Sequence, residues 1–325
     1  MKRLGNNAFE RLVSIENLEK AFFLAKRNKT TRKDIIVYQR DLSRNLYLTR
    51  DQLLNGTIQL GHYHHFFVYE PKKREISSVP FRERIVHQAI INICEEQFEK
   101  YQIYHSYACR KGKGGHKAIA VAQRYSRDFN WYLKLDVHKY FDSISHIILM
   151  KLMEKLIKDY RLLQLLWRII DSTGGEKGIP IGNLTSQHFG NLYLTALDYY
   201  VKQELRTKGY VRYMDDFLLF GQNKEELKEK LKLVKTFLFN NLKLELNEPQ
   251  MNYCVKGIPY LGYRIFPDKM RLTPKSRKRF RHHIKQAWCE LDNGLISQSE
   301  FARKADTLLA FVNYSNERKF RECRS

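Results

Sequence analysis

Three aspartates carry the most specific chemistry in the chain. Asp215 and Asp216 are adjacent inside the apolar and aromatic run GYVRYMDDFLLFG (209–221), and Asp136 closes the apolar stretch WYLKLD (131–136). An unpaired buried carboxylate is strongly penalised, so the adjacent pair must sit at a solvated turn or face a compensating cation. A tight hairpin is a normal home for Asp, whose side chain satisfies turn amides, and YMDD alone fits that account. The second carboxylate site favours the cation. Phosphoryl transfer to a primer hydroxyl calls for two Mg²⁺ ions roughly 3.5–4 Å apart, held by a few carboxylates together with substrate phosphates. Asp136 and Asp215 sharing such a pair of ions would explain like charges at strand ends. Asp142, followed by SISHIILM, is instead expected to be the N-cap of the next helix.

The elements that must position these groups follow from periodicity. WYLKLDV reads as a strand, ISHIILMKLMEKLI as a helix with Leu149, Leu152, Met153 and Leu156 on one face, and TSQHFGNLYLTALDYYVKQEL as another helix. A hairpin over 210–220, a helix over 224–240 with Leu227, Leu231, Val234 and Leu238 in register, a strand over 242–246 and a short hairpin near 259–266 complete the run. Strand, helix, paired strands, helix, strand is the order of a ferredoxin-like split βαβ sheet, in which the Asp136 strand lies beside the hairpin. Residues 1 to 55 read as helical and polar, with Leu18, Phe22 and Leu24 on one face. The segment HHFFVYEPKKREISSVPF (64–81) reads as two strands about a basic turn, and RIVHQAIINICEEQF as a helix. Beyond Pro267 the sequence is basic and expected to be helical to its end.

With 325 residues, 43% of them hydrophobic, the chain can bury a substantial core and form two or three subdomains. Lys and Arg outnumber Asp and Glu 58 to 35, a net charge of +23 that favours a polyanionic partner, nucleic acid before anionic lipid. The five cysteines (Cys94, Cys109, Cys254, Cys289, Cys323) are scattered and form no CxxC pair, which argues for a reducing compartment and against a zinc module. No run approaches the roughly 18 apolar residues a membrane span needs, and Met1 to Gly5 lead into polar sequence, so a cytoplasmic protein is expected. No repeat or Pro/Ser-rich linker separates the subdomains. GKGG (112–115) lacks P-loop spacing, and His62, His64 and His65 lack partners for a metal site.

LDVHKYFDSI, GIPIGNLTSQHFGNLYL, YMDD and GIPYLGYRI, in this order and spacing, resemble the successive palm motifs of reverse transcriptases. KKREISSVPFRERIVHQAI and HSYACRKGKGGHKAI upstream resemble the finger motifs, so the likeness covers roughly residues 60 to 270. It implies an α+β right-hand polymerase: an N-terminal helical extension (1–55), fingers (56–130), a split βαβ palm (131–266, part of 145–185 packing on the fingers) and a basic helical thumb (267–325). One motif narrows the family. Most reverse transcriptases carry Gln-Gly before the variable residues and Ser-Pro after them; here Ile181 precedes Gly182 and Gln187 follows Ser186, the pattern of diversity-generating retroelements. Such elements copy a template-repeat RNA into cDNA with errors at adenines, and the altered copy replaces a variable region in a target gene.

The resemblance implies roles residue by residue. Asp136, Asp215 and Asp216 would be the catalytic carboxylates and, with the Val137 carbonyl, would hold two Mg²⁺ ions, Mn²⁺ being a substitute. Phe141 would wall off the nucleotide 2′-OH, Lys73 and Arg74 would grip the triphosphate, and Gly182 would admit the backbone close to nucleotide and template. Ile181, Ser186 and Gln187 would lie beside the nascent pair, where replacing an amide by Ile181 would loosen discrimination at template adenines. Tyr260, Leu261 and Gly262 would form the primer grip, and Arg110, Lys113, Lys275, Arg277, Lys278 and Arg281 would contact nucleic-acid backbone. The Lys often found after LKLEL is replaced by Gln250, so no proton donor to pyrophosphate is assigned. Expected partners are template RNA, primer or cDNA, deoxynucleoside triphosphates and a small, basic, oligomeric accessory variability protein. The chain ends soon after the thumb, so template removal and cDNA insertion are expected to fall to other enzymes. The rival readings are an intron- or retron-type reverse transcriptase of ordinary fidelity and a non-catalytic RNA-binding scaffold.

Overall fold

A computed structural model describes residues 2–29, 31–69 and 73–315. In chain order, helices α1 (Ala8–Leu12), α2 (Ile15–Lys26), α3 (Lys33–Arg40) and α4 (Leu42–Leu54) precede a hairpin of β1 (His64–Val68) and β2 (Arg74–Ser78). Then come α5 (Phe81–Tyr101), α6 (Gly115–Asp128), β3 (Trp131–Asp136), α7 (Tyr140–Ser143), α8 (His146–Leu156), α9 (Tyr160–Asp171), α10 (Leu184–Tyr193) and α11 (Thr195–Tyr199). The chain continues through β4 (Gly209–Tyr213), β5 (Asp216–Gly221), α12 (Lys224–Phe237), β6 (Gln250–Tyr253), β7 (Ile258–Tyr260), β8 (Tyr263–Ile265), β9 (Met270–Leu272), α13 (Pro274–Asp292) and α14 (Gln298–Asn313). Two compact units are woven from these, one of residues 2–109, 137–200 and 234–247, the other of 110–136, 201–233 and 248–315.

The first unit is mostly helical and is built around α5, whose Ile85, Val86, Ala89, Ile90 and Cys94 are all buried. Helix α2 packs on it through Leu18 and Phe22, with the Phe22 and Phe81 rings 5.9 Å apart edge to face. Leu24, expected on the same face, is exposed because it falls a half-turn away from Leu18 and Phe22. Asp159 caps α9 by accepting from Leu162 N at 3.2 Å, while its other oxygen accepts from Phe9 N at 2.8 Å in α1. On α8, Leu149, Leu152, Met153 and Leu156 are buried as their spacing predicts.

The second unit contains a split βαβ sheet, three of whose four strands lie where the periodicity predicts them. Its order is β4-β5-β3-β6, every neighbouring pair antiparallel, which is the ferredoxin-like arrangement with the first strand beside the hairpin. Helix α6 covers this sheet through Tyr125, whose ring lies 5.4 Å from Phe220 on β5. A three-stranded sheet, β7-β8-β9, follows, and α13 and α14 pack together through Trp288 and Phe301, ring centroids 4.4 Å apart.

Four further local expectations are corrected. Asp142 is not a cap: it lies within the single turn α7, the chain then extends through Ile144, and Ser145 caps α8. The alternation LKLEL is not a strand: Leu238–Leu242 form a π-turn, Lys243 takes φ +55°, and one bridge, Val137 to Leu246, is all the sheet-like pairing there. Leu242 and Leu244 are buried, so the alternation reports burial, while the sheet edge is formed by Gln250–Tyr253. The helix expected over 185–205 is broken into α10, α11 and a π-turn over Tyr200–Glu204. Finally, β9 intervenes between Pro267 and the C-terminal helices. Cys323 and the end of the chain beyond residue 315 lie outside the described residues.

Candidate active site

Strand register brings two of the three aspartates face to face. Asp136 ends β3 and Asp216 begins β5 as direct cross-strand partners. Asp215 occupies the two-residue turn between β4 and β5 with Met214, which adopts φ +57°. Like charges directly opposite on a sheet repel, so this end of the sheet requires positive charge. One source is Lys134, two residues before Asp136 on the same face of β3, whose Nζ lies 3.1 Å from Asp216 Oδ2. Asp216 Oδ1 is buried with no hydrogen-bond partner. Burial pushes the Asp216 carboxyl up to about 7; the Lys134 ammonium opposes this shift, and the Asp136 and Asp215 charges add to it.

The donor chemistry of this corner suits a hard divalent cation: carboxylate oxygens, one shielded and unpartnered, on strands that fix their backbone positions. Among the described residues, no three His, Cys, Asp or Glu side chains are gathered closely enough to hold an ion. The side-chain arrangement present is thus the Lys134–Asp216 ion pair with Asp136 across the ladder.

The expected primer-grip residues adjoin this corner within the same unit. Tyr260 is buried and its hydroxyl donates to the Asp216 carbonyl at 3.4 Å. Leu261 and Gly262 both take positive φ, +47° and +87°, in the tight turn joining β7 to β8. A Cβ on Gly115, at the start of α6, would lie 3.8 Å from both Leu261 and Tyr213, so the N-terminus of α6, the hairpin and β4 converge. Arg110 and Lys113 are in the loop entering α6, where Lys113 N donates to the Arg110 carbonyl at 3.3 Å. On α13, Lys275, Lys278 and Arg281 are exposed, whereas Arg277 is half-buried and donates through Nε to the Leu272 carbonyl at 3.2 Å.

The remaining predicted residues belong to the first unit. Ser77 N donates to the Ile181 carbonyl at 2.8 Å, which docks the strand carrying Arg74 against the Ile181–Gly182 turn. Lys73, just before β2, sits 4.4 Å over the Phe67 ring. The Phe141 ring packs on α10, where a Cβ on Gly190 would stand 3.4 Å away, and the Phe141 carbonyl accepts from Ile179 N at 2.9 Å. Ser186 is buried; Gln187 is exposed, and its Oε1 lies 3.6 Å from the Cys109 thiol. The Val137 carbonyl accepts from Asn247 Nδ2 at 3.4 Å.

Sequence reasoning missed Lys134, although its place two residues before Asp136 in an alternating strand was a usable signal. It also missed the buried polar set between α5 and the start of α10, where Thr185 Oγ1 and His87 Nδ1 lie 2.9 Å apart and Glu83 accepts from Gly61 N at 3.0 Å. No short motif marks that set, because its members meet only through tertiary packing.

Residues 70–265 match the family model described as Reverse transcriptase (RNA-dependent DNA polymerase). The chain therefore belongs to the reverse transcriptase family. Among curated proteins it is similar to Protein YkfC of Escherichia coli (strain K12), 26% identical over 287 residues that cover 72% of this chain and 74% of that protein. It is also similar to the Group II intron-encoded protein LtrA of Lactococcus lactis subsp. cremoris, 23% identical over 269 residues that cover 60% of this chain but 44% of that protein. The match thus spans less than half of that intron-encoded relative. Among solved structures, apo telomerase from Candida tropicalis superposes with a TM-score of 0.51 at 12% identity, covering 76% of this chain and 56% of that one. The fold is that of the telomerase and reverse transcriptase polymerases, and no helix among the described residues is long and apolar enough to cross a membrane.

Proposed function

We propose that the chain is an RNA-directed DNA polymerase that copies a template RNA into cDNA for a diversity-generating retroelement. The observation that carries the catalytic part is the cross-strand pair Asp136 and Asp216 beside Asp215, a concentration of carboxylate with one shielded, unpartnered oxygen at the end of a split βαβ sheet. Asp136, Asp215, Asp216 and the Val137 carbonyl would hold two Mg²⁺ ions, or Mn²⁺. When bound, the ions supply activation of the primer hydroxyl and charge neutralisation on the leaving pyrophosphate.

The chain's own side chains do the rest. Lys73 and Arg74 hold the triphosphate, Arg as a fork and Lys as a point charge. Phe141, fixed against α10, stands as a wall to a 2′-OH, while Gly182, Ile181, Ser186 and Gln187 border the nascent pair. Tyr260, Leu261 and Gly262 steady the primer terminus, and Arg110, Lys113, Lys275, Arg277, Lys278 and Arg281 bind phosphates without reading sequence. In this reading residues 56–130 act as fingers, 131–266 as palm and 267–325 as thumb, and a small basic accessory protein joins through the RNA.

Primer extension on an RNA template tests the enzyme. Asp215→Asn should lose extension by at least about a hundredfold, as expected when a ligand to the transition-state charge is removed, with RNA affinity retained. Extension that survives this substitution would overturn the catalytic assignment. The retroelement assignment rests on the Ile181-Gly182 and Ser186-Gln187 pairs. Sequencing of the products should find errors concentrated opposite template adenine, reduced several-fold by Ile181→Gln. A second reading is favoured by the similarity to LtrA: a group II intron-type reverse transcriptase. Uniform fidelity across the four template bases, unchanged by Ile181→Gln, would decide for it.

A further inference from the structure

Lys134 occupies an interior position of the central strand β3, between Leu133 and Leu135, which are buried. Alternation puts it on the face that carries Asp136, and the register sets it diagonally across from Asp216, with Leu218 and Gln250 as its direct cross-strand neighbours. Neither neighbour carries charge, so the register directs the ammonium toward the aspartates, and Nζ lies 3.1 Å from Asp216 Oδ2. Both side chains of the pair are about one-fifth exposed, at 20% and 22%. A lysine is rare in such a position unless it is paired.

We propose that Lys134 is a positioning residue, the built-in counter-cation of Asp216, which holds that carboxylate in place before an ion binds and competes with a divalent cation for its Oδ2 oxygen. The inference rests on the metal-binding reading of Asp136, Asp215 and Asp216 given above. With Oδ1 already without a partner, Lys134 supplies the contact that keeps Asp216 ordered at the sheet end. Its charge also repels an arriving cation. Firm retention of an ion would then call for further negative charge beside the site, of the kind a substrate triphosphate carries.

The test is Mn²⁺ binding to the full chain without nucleotide, followed by electron paramagnetic resonance, together with thermal unfolding in EDTA. Lys134→Met, which keeps an unbranched side chain one atom shorter and removes the charge, should bind Mn²⁺ about tenfold more tightly, the size expected for removing one unit charge near a partly solvated ion site. It should also unfold at a lower temperature in EDTA, while Lys134→Arg resembles the wild type in both measurements. Lys134→Gln is the second neutral variant should Lys134→Met fold poorly. Unchanged or weaker Mn²⁺ binding in a folded neutral variant overturns the role of Lys134. Wild-type Mn²⁺ binding that Asp216→Asn leaves intact overturns the metal assignment itself, and the two failures are thereby distinguished.

Discussion

Gly182 adopts φ +120°, and a Cβ there would lie 2.7 Å from Ile76 Cγ2 and 3.3 Å from the Ser77 carbonyl oxygen. The glycine is thus required by the approach of β2 to the Ile181 turn, whatever it also permits toward a substrate. Gly182→Ala should destabilise the chain by about 1–3 kcal/mol, from backbone strain and the contact together. Chemical denaturation is the measurement, and Ile76→Ala in the same chain should recover only part of the loss, because the φ cost persists. Full recovery would show that side-chain crowding alone demands glycine there. Residues of this kind were legible in sequence to different degrees. The aspartates stood out because charge inside apolar runs needs a reason, and Gly182 because it sits in an ordered motif. Lys134 did not, since its pairing with Asp216 appears only once β3 and β5 are placed in register. Asp142, expected as a cap, is not one because a cap depends on where the backbone leaves the extended region, and the chain extends through Ile144 before α8 begins.

Among the elements, α9 shows how a buried charge joins segments distant in sequence. Asp159 is buried, and its two oxygens separately accept from Leu162 N, inside α9, and Phe9 N, in α1. The capping aspartate therefore fixes the start of one helix and the placement of another. Asp159→Ala should cost about 2–4 kcal/mol, more than an exposed cap, because Phe9 N would be left buried and unpaired. Asp159→Asn should cost less, since its one carbonyl oxygen retains one of the two bonds. The urea midpoint reads both, and equal losses would argue that charge rather than hydrogen bonding dominates. Helices such as α8 were legible because Leu149, Leu152, Met153 and Leu156 repeat with the helical period and all turn inward. The edge strand β6 was not: QMNY has half-buried and exposed residues only, and lacks the strong alternation that drew attention to LKLEL. Alternation marks which side chains are buried, whereas sheet membership depends on a partner with free backbone groups, here offered by β3 to Gln250–Tyr253.

Across the whole molecule, the +23 charge is the property that single-residue readings cannot replace. The division into two compact units, each assembled from three separated segments, is equally invisible to composition, because the chain crosses between them at 109, 136, 200, 233 and 247 without a linker signal. Charge, by contrast, is additive and acts over the whole surface. If the basic residues of α13 grip a template–primer duplex as proposed, each releases about one condensed counterion, and the affinity should fall steeply and linearly on a logarithmic salt scale. Replacing Lys275, Lys278 and Arg281 together by Ala should flatten that slope by about 2–3 units and weaken all template sequences alike, because phosphate contacts carry no sequence information. Fluorescence anisotropy with labelled template–primer across a salt series is the measurement. An unchanged slope would place the grip elsewhere on the basic surface. A slope change confined to one template would mean that α13 reads bases or shape, and the thumb assignment would then need a different physical footing.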